Sequence, residues 1–200
     1  MTDMEQAIRQ QIEDSLQTKK GLLEPAKLVE VSAVATLLVN AYRQGNKLLL
    51  FGNGGSAADA QHIAAEFIGQ FSIKGRVPLP ALALTVNTSV LTTVANDIGY
   101  EAIFARQVTG LGQPGDVALG ISTSGNSENV LEGIRAAKAR GLKTAVLTGS
   151  TGGRIAQEAG LCIRVPSDNT QRIQEAHILI GHILCDAVEK ALFGNEAIDR

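Results

Sequence analysis

Several residue patterns are missing from this chain, and each absence excludes something. Among 200 residues there are two cysteines, and the formal charge is −2 with no basic block. Cys162 and Cys185 have neither the number nor the spacing of a disulfide framework or a cysteine-rich metal site. Each stands among apolar neighbours, as a buried free thiol would. Without a basic patch, nucleic acid is not expected as a direct ligand. No apolar run approaches the ~20 residues needed to cross a bilayer, so no membrane partner is expected. The opening residues, Met1-Thr2-Asp3-Met4-Glu5, are acidic and polar where a secretory signal needs a basic and then an apolar region. There is neither a Gly-Lys-Ser/Thr ending of a nucleotide P-loop nor the Gly-x-Gly-x-x-Gly of a dinucleotide fold. What remains, 44% hydrophobic and 19% charged, is a globular chain long enough for one domain over residues 1–200, expected to be cytoplasmic.

What is present is an alternation. Short apolar runs at Leu48–Phe51, Ala81–Thr85, Val117–Ile121, Lys143–Thr148 and Leu161–Val165 read as five strands. Between them, helical segments are expected at Ser89–Ala95, Tyr100–Leu111, Asn129–Arg140 and Arg154–Ala159. Runs that are continuously apolar and separated by helices predict an α/β protein, a parallel sheet covered on both faces. The ligand cleft then belongs at the C-terminal ends of the strands. Two helices precede the sheet. The first, over residues 5–19, carries the narrow stripe Ile8, Ile12 and Leu16; the second starts at Pro25 and ends near Gln44-Gly45-Asn46. Its broad apolar surface fits either subunit contact or packing on the sheet. A last helix, from about Thr170 to Phe193 and ending before Gly194-Asn195, is apolar around much of its circumference, as a helix buried on several sides would be. Gln174, Glu175, His177 and His182 interrupt it, and buried polar groups need partners.

Two loops could carry chemistry. After the first strand comes Gly52-Asn53-Gly54-Gly55-Ser56 and then a helix bearing His62 and Glu66 four positions apart on one face. A glycine turn opening a helix presents free N–H groups and the positive end of a dipole, which suits an anion. Histidine with a carboxylate is ordinary chemistry for a divalent metal, and equally an exposed i,i+4 pair. After the third strand, Ser122-Thr123-Ser124-Gly125-Asn126-Ser127 offers four hydroxyls before a helix N-terminus, a donor set for a phosphate monoester. Thr148–Gly153 reads as a turn, Asn96-Asp97 as a turn and cap, and His177 as a neutral, structural histidine.

Taken together, Gly52–Ser56, Ser122–Ser127 and Arg172-Ile173-Gln174-Glu175 resemble the sugar isomerase (SIS) domain family, and within it the phosphoheptose isomerases. The resemblance spans nearly the whole chain. It implies a flavodoxin-like five-stranded parallel sheet, a homotetramer to which the helical pair 1–45 contributes, and sites at subunit interfaces. It also implies one zinc ion per subunit on His62, Glu66, Gln174 and His182. Substrate contacts would fall on Asn53, Gly54, Gly55, Ser56, Glu66, Asn96, Asp97, Ser122, Thr123, Ser124, Ser127 and Gln174. One departure is Gln171, where some members have Asp.

The activity implied is aldose–ketose isomerisation of a phosphorylated seven-carbon sugar through an enediol. Sedoheptulose 7-phosphate would become D-glycero-D-manno-heptose 7-phosphate, opening bacterial heptose synthesis for the lipopolysaccharide core. Glu66 would be the base and His182 the acid. Gln174 and His182 are eight positions apart, ~12 Å along a helix, so a shared ion requires both to reach inward or a symmetry mate to supply one. A second reading is non-enzymatic: a close relative of the family binds the bacterial replication initiator and regulates its assembly on DNA. Those relatives lack a histidine at the position of His182.

Overall fold

The protein is described from a computed structural model covering residues 2–194; Met1 and Asn195, named above at the two ends, lie outside the described residues. The chain begins with α1 (Asp3–Gly21), earlier than expected because Thr2 and Glu5 form a capping box. The Thr2 hydroxyl accepts the Glu5 N–H, and the Glu5 carboxylate accepts the Thr2 N–H. After it comes α2 (Pro25–Arg43), with proline at its first position, where the missing N–H costs nothing.

The α/β part follows as β1 (Leu48–Gly52), α3 (Gly55–Ile68), β2 (Ala81–Ala83), α4 (Thr88–Asp97), a 3₁₀ turn (Tyr100–Ala102), α5 (Ile103–Leu111), β3 (Val117–Ser122), α6 (Glu128–Ala139), β4 (Lys143–Thr148), α7 (Gly153–Glu158), β5 (Leu161–Arg164) and α8 (Thr170–Phe193). The strands form one parallel sheet in the order β2-β1-β3-β4-β5, the flavodoxin-like order. Side chains alternate along a strand, so β1 feeds two cores. Leu48 and Leu50 join Val34 and Leu38 of α2, Ile63 of α3 and Ile180 of α8. Leu49 and Phe51 join Phe104 of α5 and Ile134 of α6 on the other face.

Besides shifts of one or two residues at the ends of α1, α6, α7 and β5, three elements differ from the sequence reading. β2 ends at Ala83, although the Leu84 N–H still reaches the Leu50 carbonyl. The helix expected over Tyr100–Leu111 opens with a 3₁₀ turn. The turn expected at Asn96-Asp97 is the last turn of α4, because Asn87 caps the helix early and the Ile98 N–H still bonds to Val94. The stripe on α1 does not pack on the sheet: Ile8, Ile12 and Leu16 are each more than half exposed. The sheet is covered instead by α2, whose Val34 and Leu38 are buried while Leu28 and Val29 remain exposed.

Candidate active site

Between β1 and β3 the strand order reverses. The loop after β1 leads to α3 on one face, and the loop after β3 leads to α6 on the other, so a crevice opens at their C-terminal ends. Both loops singled out from the sequence border it. They are tied across it by Asn53 and Asn129, whose amides exchange two hydrogen bonds of 2.8 Å each. The Tyr100 hydroxyl donates to the Asn53 Oδ1 at 3.1 Å. A cavity of about 120 Å³ lies beside this group, lined by Gly52, Asn53, Gly54, Leu91, Tyr100 and Phe104 among others.

The Ser/Thr loop is pinned by its own bonds. Ser122 and Ser127 hydroxyls lie 3.0 Å apart, and the Ser124 hydroxyl accepts the Asn126 N–H. Ser127 is the N-cap of α6 but caps nothing with its side chain, so the first-turn N–H groups of that helix are left for a ligand. Ser122 is buried, Thr123 and Ser127 are half-buried, and Ser124 is exposed. Gly125 has φ +65°, and a Cβ there would collide with the Gly152 carbonyl. Thr148–Gly153, expected to be a turn only, thus supports the loop. Glu128, which would repel an anion there, is paired with Arg154.

The second cluster lies where α3 meets α8. His62 Nε2 is 2.9 Å from His182 Nε2 and 3.3 Å from Glu66 Oε1. One donor atom of each of the three residues lies within 4.8 Å of the others. Phe71 packs against the His182 ring at a centroid distance of 5.5 Å. Ligands about 2.0–2.1 Å from a tetrahedral zinc ion stand about 3.3 Å apart. Two imidazoles and a carboxylate at these separations fit such an ion in both chemistry and spacing, so His62, Glu66 and His182 could hold a metal. Gln174 is elsewhere on the helix pair: a Cβ on Gly55 would lie 2.6 Å from its Nε2, so its amide rests on the glycine loop.

The remaining expected residues divide. Gly54 and Gly55 are exposed at the start of α3, whereas Ser56 is buried one position on. Asn96 and Asp97 are exposed, and the Asn96 amide donates to the Asp97 carboxylate. His177 is fully buried, as its structural reading expects; its Nε2 lies 3.2 Å from the Thr148 carbonyl, and its Nδ1 has no partner. Burial pushes its pKa down to about 4, with the Thr148 bond opposing.

Sequence reasoning missed four groups. Asn129 and Tyr100 hold Asn53, and neither has a local pattern that signals this. Asp59, one turn before His62, has a buried Oδ2 without a partner; burial raises its pKa to about 6, and His62 opposes the shift. The fourth group is the buried ion pair of Arg76 and Glu189. Among the described residues no helix is long and apolar enough to cross a membrane.

A profile of the SIS domain matches residues 13–149, which include both loops and α3 but not α8. The chain is 49% identical to the phosphoheptose isomerase of Sulfurimonas denitrificans over 193 residues, covering 96% of this chain and 98% of that one. Among solved structures, the phosphoheptose isomerase of Francisella tularensis superposes with a TM-score of 0.88 at 37% identity, over 95% of this chain and 100% of the other. That of Neisseria gonorrhoeae gives 0.85 at 40% identity, over 94% and 99%.

Proposed function

Because the chain belongs to the SIS domain family, and within it to the phosphoheptose isomerases, we propose that this isomerase interconverts sedoheptulose 7-phosphate and D-glycero-D-manno-heptose 7-phosphate. The observation that supports the proposal is the convergence of His62, Glu66 and His182 where α3, the helix that leaves the glycine loop, meets α8, together with a Ser/Thr loop at a helix N-terminus across the crevice from that glycine loop. The loop and the free N–H groups of α6 hold the phosphate, far from the reacting carbons, so that binding energy goes into orientation. Asn53, Gly54, Gly55 and Gln174 meet the sugar's chain. Ser56, Asn96 and Asp97 keep a substrate role through the family resemblance alone.

Glu66 takes the proton from C1 of the ketose, giving an enediol, and returns a proton to C2. His182 moves a proton between the two oxygens, so the carbonyl passes from C2 to C1 with atoms in balance. Zinc bound by His62, Glu66 and His182 would polarise those oxygens. Gln174, whose amide rests on Gly55 of its own chain, would meet the sugar there, and would reach an ion only from a neighbouring subunit. The exposed stripe of α1 and the exposed Leu28 and Val29 of α2 suit burial between subunits of a tetramer. The enzyme would work in the cytoplasm, supplying heptose for the lipopolysaccharide core.

The test is an isomerase assay on metal-replete protein, with and without chelator, and on Glu66→Gln. Loss of a general base lowers kcat by about 10²–10⁴-fold. If the metal-replete wild type does not interconvert the two sugars, the proposal is wrong. An unchanged rate in Glu66→Gln removes Glu66 as base, and an unchanged rate after chelation removes the metal from the chemistry.

A further inference from the structure

Behind the His62–Glu66–His182 cluster lies an ion pair that touches none of its side chains. Arg76 and Glu189 are each no more than 2% exposed as side chains, with Nε and Oε1 2.5 Å apart. Burying two charges is costly, and such a pair is weak support for stability on its own. Its remaining bonds go to particular places. Arg76 donates to the Glu66 carbonyl at 2.7 Å and the Phe67 carbonyl at 2.8 Å, in the last turn of α3, and to the Val77 carbonyl at 3.0 Å; the Phe67 carbonyl also accepts the Leu79 N–H. Glu189 accepts the N–H groups of Phe71 at 2.8 Å, Ser72 at 2.6 Å and Ile73 at 2.7 Å. Burial works against ionisation of Glu189, but these N–H groups and Arg76 outweigh it, so its pKa is lowered. One end of the pair therefore fixes the turn that carries Glu66. The other end, on the helix that carries His182, fixes the backbone of Phe71, whose ring lies against the His182 imidazole.

We propose that Arg76 and Glu189 are positioning residues: the buried pair clamps the C-terminal turn of α3 and the Phe71 strap to α8, and so sets the mutual geometry of His62, Glu66 and His182. The clamp rests on the proposed role of those three residues in holding a metal. Groups that orient metal ligands from behind typically change affinity by about 10–100-fold when removed.

The test uses three full-length variants: Arg76→Lys, Glu189→Gln, and the double variant Arg76→Met/Glu189→Met. The double variant fills the volume with apolar groups and removes the unpaired charge, so it is expected to stay folded if a single variant does not. Folding is checked by circular dichroism, and all readouts are taken below the onset of melting. In the metal-free protein, ¹⁵N-histidine NMR should show the His62 and His182 ring signals displaced from wild type. In Co²⁺ titrations, affinity should fall at least about tenfold with an altered visible absorption band. In turnover, kcat should fall more than KM rises. Folded variants with wild-type histidine signals and wild-type Co²⁺ affinity overturn the clamp, whatever their melting temperatures. If instead His62→Ala binds Co²⁺ as well as wild type does, the metal reading of the triad fails; displaced histidine signals in the clamp variants would still support the clamp.

Discussion

Acidification from pH 7 to pH 4 should weaken the fold through His177, and the size of the effect follows from where the ring sits. His177 is fully buried, and its Nε2 faces the Thr148 carbonyl, so the neutral ring donates there and leaves Nδ1 as an acceptor with no partner. Protonation would place a charge and an N–H with no acceptor in the core, which is why its pKa falls from 6.5 to about 4. Above pH 6.5 both folded and unfolded chains carry the neutral ring. Between 6.5 and 4 only the unfolded chain takes up the proton, so stability drops as pH falls through that window. At 1.36 kcal/mol per tenfold change, the loss is about 3 kcal/mol, complete near pH 4. Asp59 works in the opposite direction. Burial raises its pKa from 3.8 to about 6, so the folded chain is protonated first and gains stability as pH falls from 6 towards 3.8. The wild-type profile therefore mixes opposed slopes, with Glu189 adding to the loss near pH 4, and only a comparison isolates His177. Urea unfolding of wild type and His177→Leu at steps from pH 7.5 to 4 supplies it. The wild type should lose about 3 kcal/mol relative to the variant across that range. Parallel profiles would show that the ring is not held neutral by its surroundings, and would refute the reasoning.

Asn129→Ala should cost about 1–3 kcal/mol in urea unfolding, because two hydrogen bonds are lost and the Asn53 Nδ2 is left without its partner, while Oδ1 keeps the Tyr100 hydroxyl; a change below about 0.5 kcal/mol would mean the crevice is not tied there. Gln174→Ala should raise KM for the sugar phosphate while leaving Co²⁺ affinity at the wild-type value. Loss of metal binding in that variant would put Gln174 in the ligand set, supplied across a subunit boundary. Ile8→Glu/Ile12→Glu, on the exposed stripe of α1, should lower the mass found by light scattering; an unchanged mass would rule out a subunit contact through this stripe.

Much of the sheet is legible in the sequence because each central strand is an apolar run that ends on a glycine or hydroxyl loop, as at Gly52 and Ser122. Strand and helix ends were harder, since they depend on single bonds. Thr2 starts α1 through a bond to Glu5, and Asn87 starts α4 early. Half of the candidate site is equally local: His62 and Glu66 are marked by a four-residue spacing after a glycine loop. His182 is not, because nothing in an apolar helix says which polar residue faces α3, and only the family resemblance singled it out. Asn53 with Asn129 and Arg76 with Glu189 are pairs 76 and 113 residues apart. Each exists only because the strand order brings two distant loops or helices together, and no periodicity records that.

The contacts of α3 with α8 give the site its order. Gly55 meets Gln174, Ile63 meets Gly181 and His62 meets His182, so the sequence offset stays within two residues of 120 along the pair. A nearly constant offset means that the helices run parallel, each advancing about 1.5 Å per residue. The glycine loop and Gln174 therefore lie at one end, the histidines about 10 Å further along, and Arg76 with Glu189 beyond them. The helices can come close enough for two imidazoles to touch because position 181 has no side chain: a Cβ there would stand 2.7 Å from Ile63 Cδ1. Ile63 is fully buried, so in a close-packed interior that contact is relieved only by a new Ile63 rotamer or by moving the helices apart. The separation of His62 and His182 is thus set by a core glycine one residue away and by the ion pair behind it. The geometry of the cluster depends on two features outside its three side chains.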